Sequence, residues 1–142
     1  MQSDGDGALE RAKALIYSEE RLIRAAADYQ VSPDRMSFLR FVAGVLRLMD
    51  EFLDSTRAAS DYVTTFSQVW SAWPSWGDDA DVHETVEALQ HYYERIQFFS
   101  SNAAHRRDEP LLFDERHLAS LTRDAYQHLS ESWLSLVRIH GS

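Results

Sequence analysis

The 142-residue sequence predicts an all-α fold, a bundle of four to five amphipathic helices. Apolar side chains recur at steps of three and four along most of the chain, which is the period of a helix face. Only five glycines and three prolines are present, and strand-rich folds need many of these residues for their turns. The chain is 44% hydrophobic and 12% aromatic, enough to build the core of a single domain over residues 1–142.

The first predicted helix runs from about Ala8 to Tyr29, and residues 1–7 are expected to be flexible. Its apolar residues share one stripe, which predicts that one side of the helix packs on the bundle. The stripe comprises Leu9, Ala12, Leu15, Ile16, Leu22, Ile23 and Ala26.

The second predicted helix begins at Pro33, a residue that suits the first position of a helix. Apolar residues alternate at steps of four and three as far as Trp73, and this unbroken phase favours one helix of about forty residues. The polar cluster near residues 55–60 is typical of helix ends and favours a break there instead. We take the long helix as the main prediction and the break as the alternative. The expected core positions are Phe38, Val45, Met49, Phe52 and Phe66.

Two further helices follow the turn-forming segment 74–79. The third helix is expected to begin near Val82 and to end between residues 99 and 104. A polar connection then leads to Asp114, which is expected to cap the last helix. That helix should end at Gly141, because glycine is common just beyond a helix C-terminus.

The net charge is −9, with 23 acidic and 14 basic side chains. Nucleic acids and anionic membranes are bound by basic side chains, so neither is an expected partner. An acidic chain is better suited to a basic protein. The chain has no cysteine and no N-terminal pattern of a signal peptide, which predicts a cytoplasmic protein. No residue pattern predicts a cofactor or a metal site.

Arg123 and His128 are the candidate catalytic residues. The segment RDAYQH over residues 123–128 consists of Arg, a polar residue, three more residues and His. It resembles the signature of the HEPN superfamily, all-α domains that often act as metal-independent ribonucleases. The resemblance covers six residues and implies an Arg and a His that converge on a scissile phosphate across a dimer. A spacing of five places the two side chains about 140° apart around a helix.

Three tryptophans, Trp70, Trp73 and Trp76, gather over little more than one helical turn. Tryptophan is enriched at interface hot spots and in ligand pockets, and it also plugs the ends of bundles. The tryptophan corner is therefore a candidate interface or small-ligand site. Phe41 and Leu48 form a second apolar face on the second helix and extend the candidate interface.

These patterns favour a non-catalytic protein–protein interaction module, acting as an adaptor, an accessory subunit or an acidic antagonist of a basic partner. The simplest partner is a second copy, because a helix of about 60 Å would outreach its neighbours and leave apolar surface uncovered. This argument predicts a homodimer through the second helix and the tryptophan corner. The alternatives are a HEPN-like ribonuclease using Arg123 and His128, and small-ligand binding at the tryptophans.

Overall fold

A computed structural model describes residues 4–28, 33–72 and 80–138. The helices in these ranges are α1 Asp4–Ile16, α2 Glu19–Asp28, α3 Pro33–Leu53, α4 Ala59–Ser71, α5 Ala80–Ile96, α6 Ala103–Asp108 and α7 Glu115–Arg138. The described residues contain no strand, and one isolated parallel bridge joins Phe99 to Phe113. The all-α prediction is confirmed, although the helices are shorter and more numerous than the four to five expected.

The centre of the bundle is the contact between α3 and α7, and α1 and α5 also pack on α7. The indole N–H of Trp133 on α7 donates to the carbonyl oxygen of Leu39 on α3 at 2.9 Å. A fully buried ring thus has its single polar group satisfied. The expected core positions are confirmed as buried, namely Phe38, Val45, Met49, Phe52 and Phe66.

The first predicted helix is divided into α1 and α2, so a continuous helix over residues 8–29 is wrong. Arg47 of α3 donates to the carbonyl oxygen of Ile16 at 3.1 Å, which satisfies the end of α1. The Ser18 hydroxyl accepts from the N–H of Arg21 at 3.3 Å and caps α2. The break is therefore stabilised partly by a side chain more than thirty positions away in the sequence.

The second predicted helix is also divided, into α3 and α4, at the position of the alternative prediction. Ser55 has a φ of 65°, in the left-handed region. The N–H of Thr56 donates to the Glu51 carbonyl at 2.9 Å, and the N–H of Ser55 donates to the Phe52 carbonyl at 3.1 Å. This pair of hydrogen bonds is the Schellman motif, which ends a helix.

Arg57 holds the corner between α3 and α4. Its guanidinium pairs with Glu51 at 2.9 Å and with Asp61 at 2.7 Å, and these hydrogen bonds raise the pKa of Arg57. Because α3 ends at this corner, no helix of about 60 Å forms. Leu48 is only 7% exposed and Phe41 is half-buried against the core, so the chain covers most of this second apolar face itself. The homodimer predicted through the second helix rested on a helix of about 60 Å that outreaches its neighbours, and this length argument no longer applies.

Asp114 caps the last helix as predicted. Its Oδ1 accepts from the N–H of His117 at 3.0 Å. That hydrogen bond, with smaller contributions from Arg106 and Arg116, holds the pKa of Asp114 below its usual range. The expected polar connection before it contains the short helix α6, which the sequence did not predict and which Asn102 caps.

Some predicted features lie outside the described residues. These are residues 1–3, Trp73, Trp76 and Gly141. Residues 4–7, for which flexibility was expected, form the first turn of α1. Among the described helices, none combines the length and the hydropathy required to cross a bilayer.

Candidate functional site

The connection between α5 and α7 forms a closed excursion, defined here as residues 98–114. The N–H of Phe113 donates to the Phe98 carbonyl at 3.0 Å, and the N–H of Ser100 donates to the Phe113 carbonyl at 3.1 Å. These hydrogen bonds join the two ends of the excursion at its base. The helix α6 lies beyond this base, and none of its residues is buried. The helix α6 therefore lies at the surface of the bundle, on a base closed by hydrogen bonds.

Two large apolar side chains of the excursion are exposed. Leu111 is 75% exposed and Phe98 is 43% exposed. Their neighbours Phe99 and Phe113 pack against the core, and the Phe113 ring stacks on the His117 imidazole with centroids 4.5 Å apart. Residues 111–113 form an apolar run, which would be expected to pack on the bundle. Leu112 and Phe113 are half-buried, whereas Leu111 is exposed.

A cleft of about 350 Å³ lies between the base of the excursion and the first turn of α4. Its volume is in the range of small-molecule sites, and it is partly open to solvent. Both charged and apolar side chains line it, namely Ala58, Ala59, Ser60, Phe99, Ser101, Arg106, Asp114, Glu115 and Arg116.

The two arginines of this cleft come from different helices. Arg106 on α6 donates one N–H to the Ser100 carbonyl at 2.5 Å, which holds its guanidinium in place. Neither Arg106 nor Arg116 forms a salt bridge with a carboxylate of the described residues. Both lie near enough to Asp114 to lower its pKa. Guanidinium groups of this kind are suited to hold an oxyanion.

Trp70 is the described member of the predicted tryptophan corner. It is half-buried at the end of α4 and stacks on Tyr93 of α5, with centroids 4.8 Å apart and planes 14° apart. Tyr93 in turn lies parallel to the buried ring of Phe66, at 6.1 Å. An aromatic column thus runs from the core to the surface. Because the other two tryptophans lie outside the described residues, an interface or ligand role for the corner stays a prediction.

Arg123 and His128 are both exposed on α7, and Tyr126 between them is buried. The segment 123–128 therefore packs on the bundle through Tyr126, while the two candidate catalytic side chains face solvent. Their HEPN-like role stays a prediction.

A cluster around Asp50 was missed by the sequence analysis. Asp50 is 6% exposed and accepts from the Tyr17 hydroxyl, and the ammonium of Lys13 lies 3.6 Å from its Oδ1. Burial, followed by the interaction with Asp50, raises the pKa values of Tyr17 and Tyr126 well above the ordinary tyrosine value. The hydroxyls of Tyr17 and Tyr126 and the ammonium of Lys13 compensate the buried carboxylate of Asp50. We interpret the cluster as a structural contact that connects α1, α3 and α7.

Within the described ranges, no three His, Asp or Glu side chains are placed to hold a metal ion. Comparison with known proteins yields no match to a family model, to a curated protein or to a solved structure.

Proposed function

We propose that this chain is a non-catalytic protein–protein interaction module that binds a partner through the excursion. The observation that carries the proposal is the exposure of Leu111 and Phe98 on a base closed by two backbone hydrogen bonds. Burying a side chain of this size contributes about 1.5–3 kcal/mol. A backbone that is already fixed also lowers the cost of ordering the interface on binding.

The partner that fits this chain best is a basic protein. The net charge of −9 attracts such a partner over long distances and speeds its association. On α5 the exposed carboxylates of Glu84, Glu87 and Glu94 add to this attraction. A second copy of the chain carries the same charge, which opposes the homodimer that the sequence suggested. Adaptor, accessory-subunit and antagonist roles are all compatible with a basic partner.

The test is partner recovery with the full chain as bait in an extract of the source cells. The double variant Leu111→Ser, Phe98→Ser should lose most of the recovered partner, because it removes both apolar contacts. Ile23→Ser is the matched control, since Ile23 on α2 is 43% exposed, as Phe98 is. The control should recover the partner like the wild type. Equal recovery by all three proteins would contradict the proposal.

Sedimentation velocity at micromolar concentration tests the second copy as partner. We expect a monomer. A dimer in the wild type that is lost in the double variant would support the excursion as interface and replace the basic partner with a second copy.

The catalytic alternative is tested with Arg123→Ala and His128→Ala. We expect both variants to recover the partner as the wild type does, because neither residue belongs to the excursion. If the purified chain cleaves RNA and each substitution abolishes cleavage while the fold is intact, the non-catalytic assignment is wrong and the HEPN-like alternative is right.

A further inference from the structure

We propose that the cleft between α4 and the base of the excursion binds a small organic carboxylate through Arg106 and Arg116. Such a site is separate from the exposed Leu111 and Phe98, and it would give the chain a ligand in addition to a protein partner. The volume of about 350 Å³ accommodates a molecule of this size.

The guanidinium groups supply the recognition. Arg106 has one N–H committed to the Ser100 carbonyl, and its other N–H groups remain for a ligand. Arg116 lines the same cleft from the start of α7, and neither guanidinium is in a salt bridge within the described residues. The planar fork of a guanidinium matches the two oxygens of a carboxylate, so each arginine can donate two parallel hydrogen bonds.

The remaining lining residues favour a carboxylate over a phosphate. Asp114 and Glu115 also line the cleft, and they repel a dianion more strongly than a monoanion. The Asp114 Oδ1 accepts from the N–H of His117. Both arginines lie near this carboxylate, but neither forms a salt bridge with it within the described residues. Phe99 provides an apolar wall against which the hydrocarbon part of a carboxylic acid can pack. A monoanion with a ring or a short chain is therefore the class of ligand that the cleft fits.

The experiment is an NMR titration of the full ¹⁵N-labelled chain at neutral pH and constant ionic strength. The probes are phenylacetate, acetate and inorganic phosphate. Phenylacetate should give saturable shifts for the side-chain signals of Arg106 and Arg116 and for the amides of Ser60 and Ser101. Acetate should bind more weakly because it lacks the ring. Phosphate should be the weakest of the three.

Two variants distinguish binding of the carboxylate in the cleft from a general effect of positive charge on the helices. Arg116→Gln should weaken phenylacetate binding about tenfold, the usual scale for a lost charged hydrogen bond. Arg107→Gln is the control, because Arg107 is exposed on the same short helix as Arg106 and does not line the cleft. The control should bind like the wild type. The backbone spectrum of each variant verifies the fold.

Three results would overturn the site. They are the absence of saturable shifts with phenylacetate, equal weakening by both variants, and phosphate binding tighter than phenylacetate. None of them affects partner recovery through Leu111 and Phe98, so the site and the interaction module are tested separately.

Discussion

The α3–α7 contact and the excursion place large apolar side chains in opposite environments. In the core, Trp133 is fully buried and its indole donates to the carbonyl of Leu39. In the excursion, Phe98 and Leu111 are exposed while backbone hydrogen bonds hold their segment. A buried side chain stabilises the first region. Backbone hydrogen bonds and the half-buried rings of Phe99 and Phe113 stabilise the second, which leaves Phe98 and Leu111 available to a partner.

The largest expected effect is in the core. Trp133→Ala should lower the free energy of unfolding by about 3–5 kcal/mol, because a fully buried aromatic ring is lost and a cavity forms. Urea denaturation followed by circular dichroism measures the change. A loss below about 1 kcal/mol would mean that α3 and α7 do not form the core contact described.

Tyr92→Phe tests the buried polar network between α4, α5 and α7. The Tyr92 hydroxyl lies 2.5 Å from that of Tyr62 and 2.6 Å from that of Thr122. Removing it leaves both partners without this hydrogen bond, which should cost about 1–3 kcal/mol in the same denaturation experiment. Tyr93→Phe is the control, and it should change the stability by less than about 0.5 kcal/mol. Equal effects of the two substitutions would contradict the network.

Alkaline pH should lower the free energy of unfolding through the core, where Tyr62 and Tyr92 are buried. Burial raises the pKa of Tyr92 to about 12 and also raises the pKa of Tyr62 well above the ordinary value, whereas an unfolded tyrosine titrates near a pH of about 10. Below that pH both states are protonated and the stabilisation is complete. Above it the unfolded state loses protons first, so the free energy of unfolding falls, by up to about 1.4 kcal/mol per pH unit for each such tyrosine. Denaturation midpoints measured across this range should fall less steeply in Tyr92→Phe. A flat profile would contradict the burial.

Ser55→Gly should stabilise the corner between α3 and α4. A side chain in the left-handed conformation costs about 1–2 kcal/mol, and the substitution removes this cost. The greater freedom of glycine in the unfolded chain offsets about half of the resulting gain. We therefore expect a stabilisation of about 0.5–1 kcal/mol, read from the denaturation midpoint. Ser67→Gly, in the middle of α4, should destabilise the chain instead. If both substitutions destabilise, the Schellman motif at residue 55 is wrong.

The smallest effect is expected in the excursion. Leu111→Ala should change the free energy of unfolding by no more than about 0.5 kcal/mol, because this side chain packs against little of the fold. A cost above about 1 kcal/mol would show that Leu111 supports the fold, and the contrast with Trp133 would fail.

The all-α class, the core positions and the cap at Asp114 were predicted from the sequence alone, because each depends on a short stretch of it. The burial of Phe38 and Met49 follows from their helical period, because an amphipathic helix buries its apolar stripe wherever it packs. The cap at Asp114 was predictable for a similar reason, since the donor and the acceptor are three residues apart. Neither inference requires knowledge of a neighbouring helix.

The break after α1 and the cleft depend on residues that are distant in sequence. The corner at Ser55 is closed by local hydrogen bonds, but the apolar phase continues past it, so the helical period alone does not reveal that the chain turns there. The end of α1 is satisfied by Arg47, thirty-one positions away from Ile16. Arg106 and Arg116 line one cleft because α6 and the Phe99–Phe113 bridge fold the chain back on itself. A helical period gives only the direction of a side chain around the axis of its helix. The contacts of Arg47, Arg106 and Arg116 depend on where separate helices meet, and tertiary packing alone decides that.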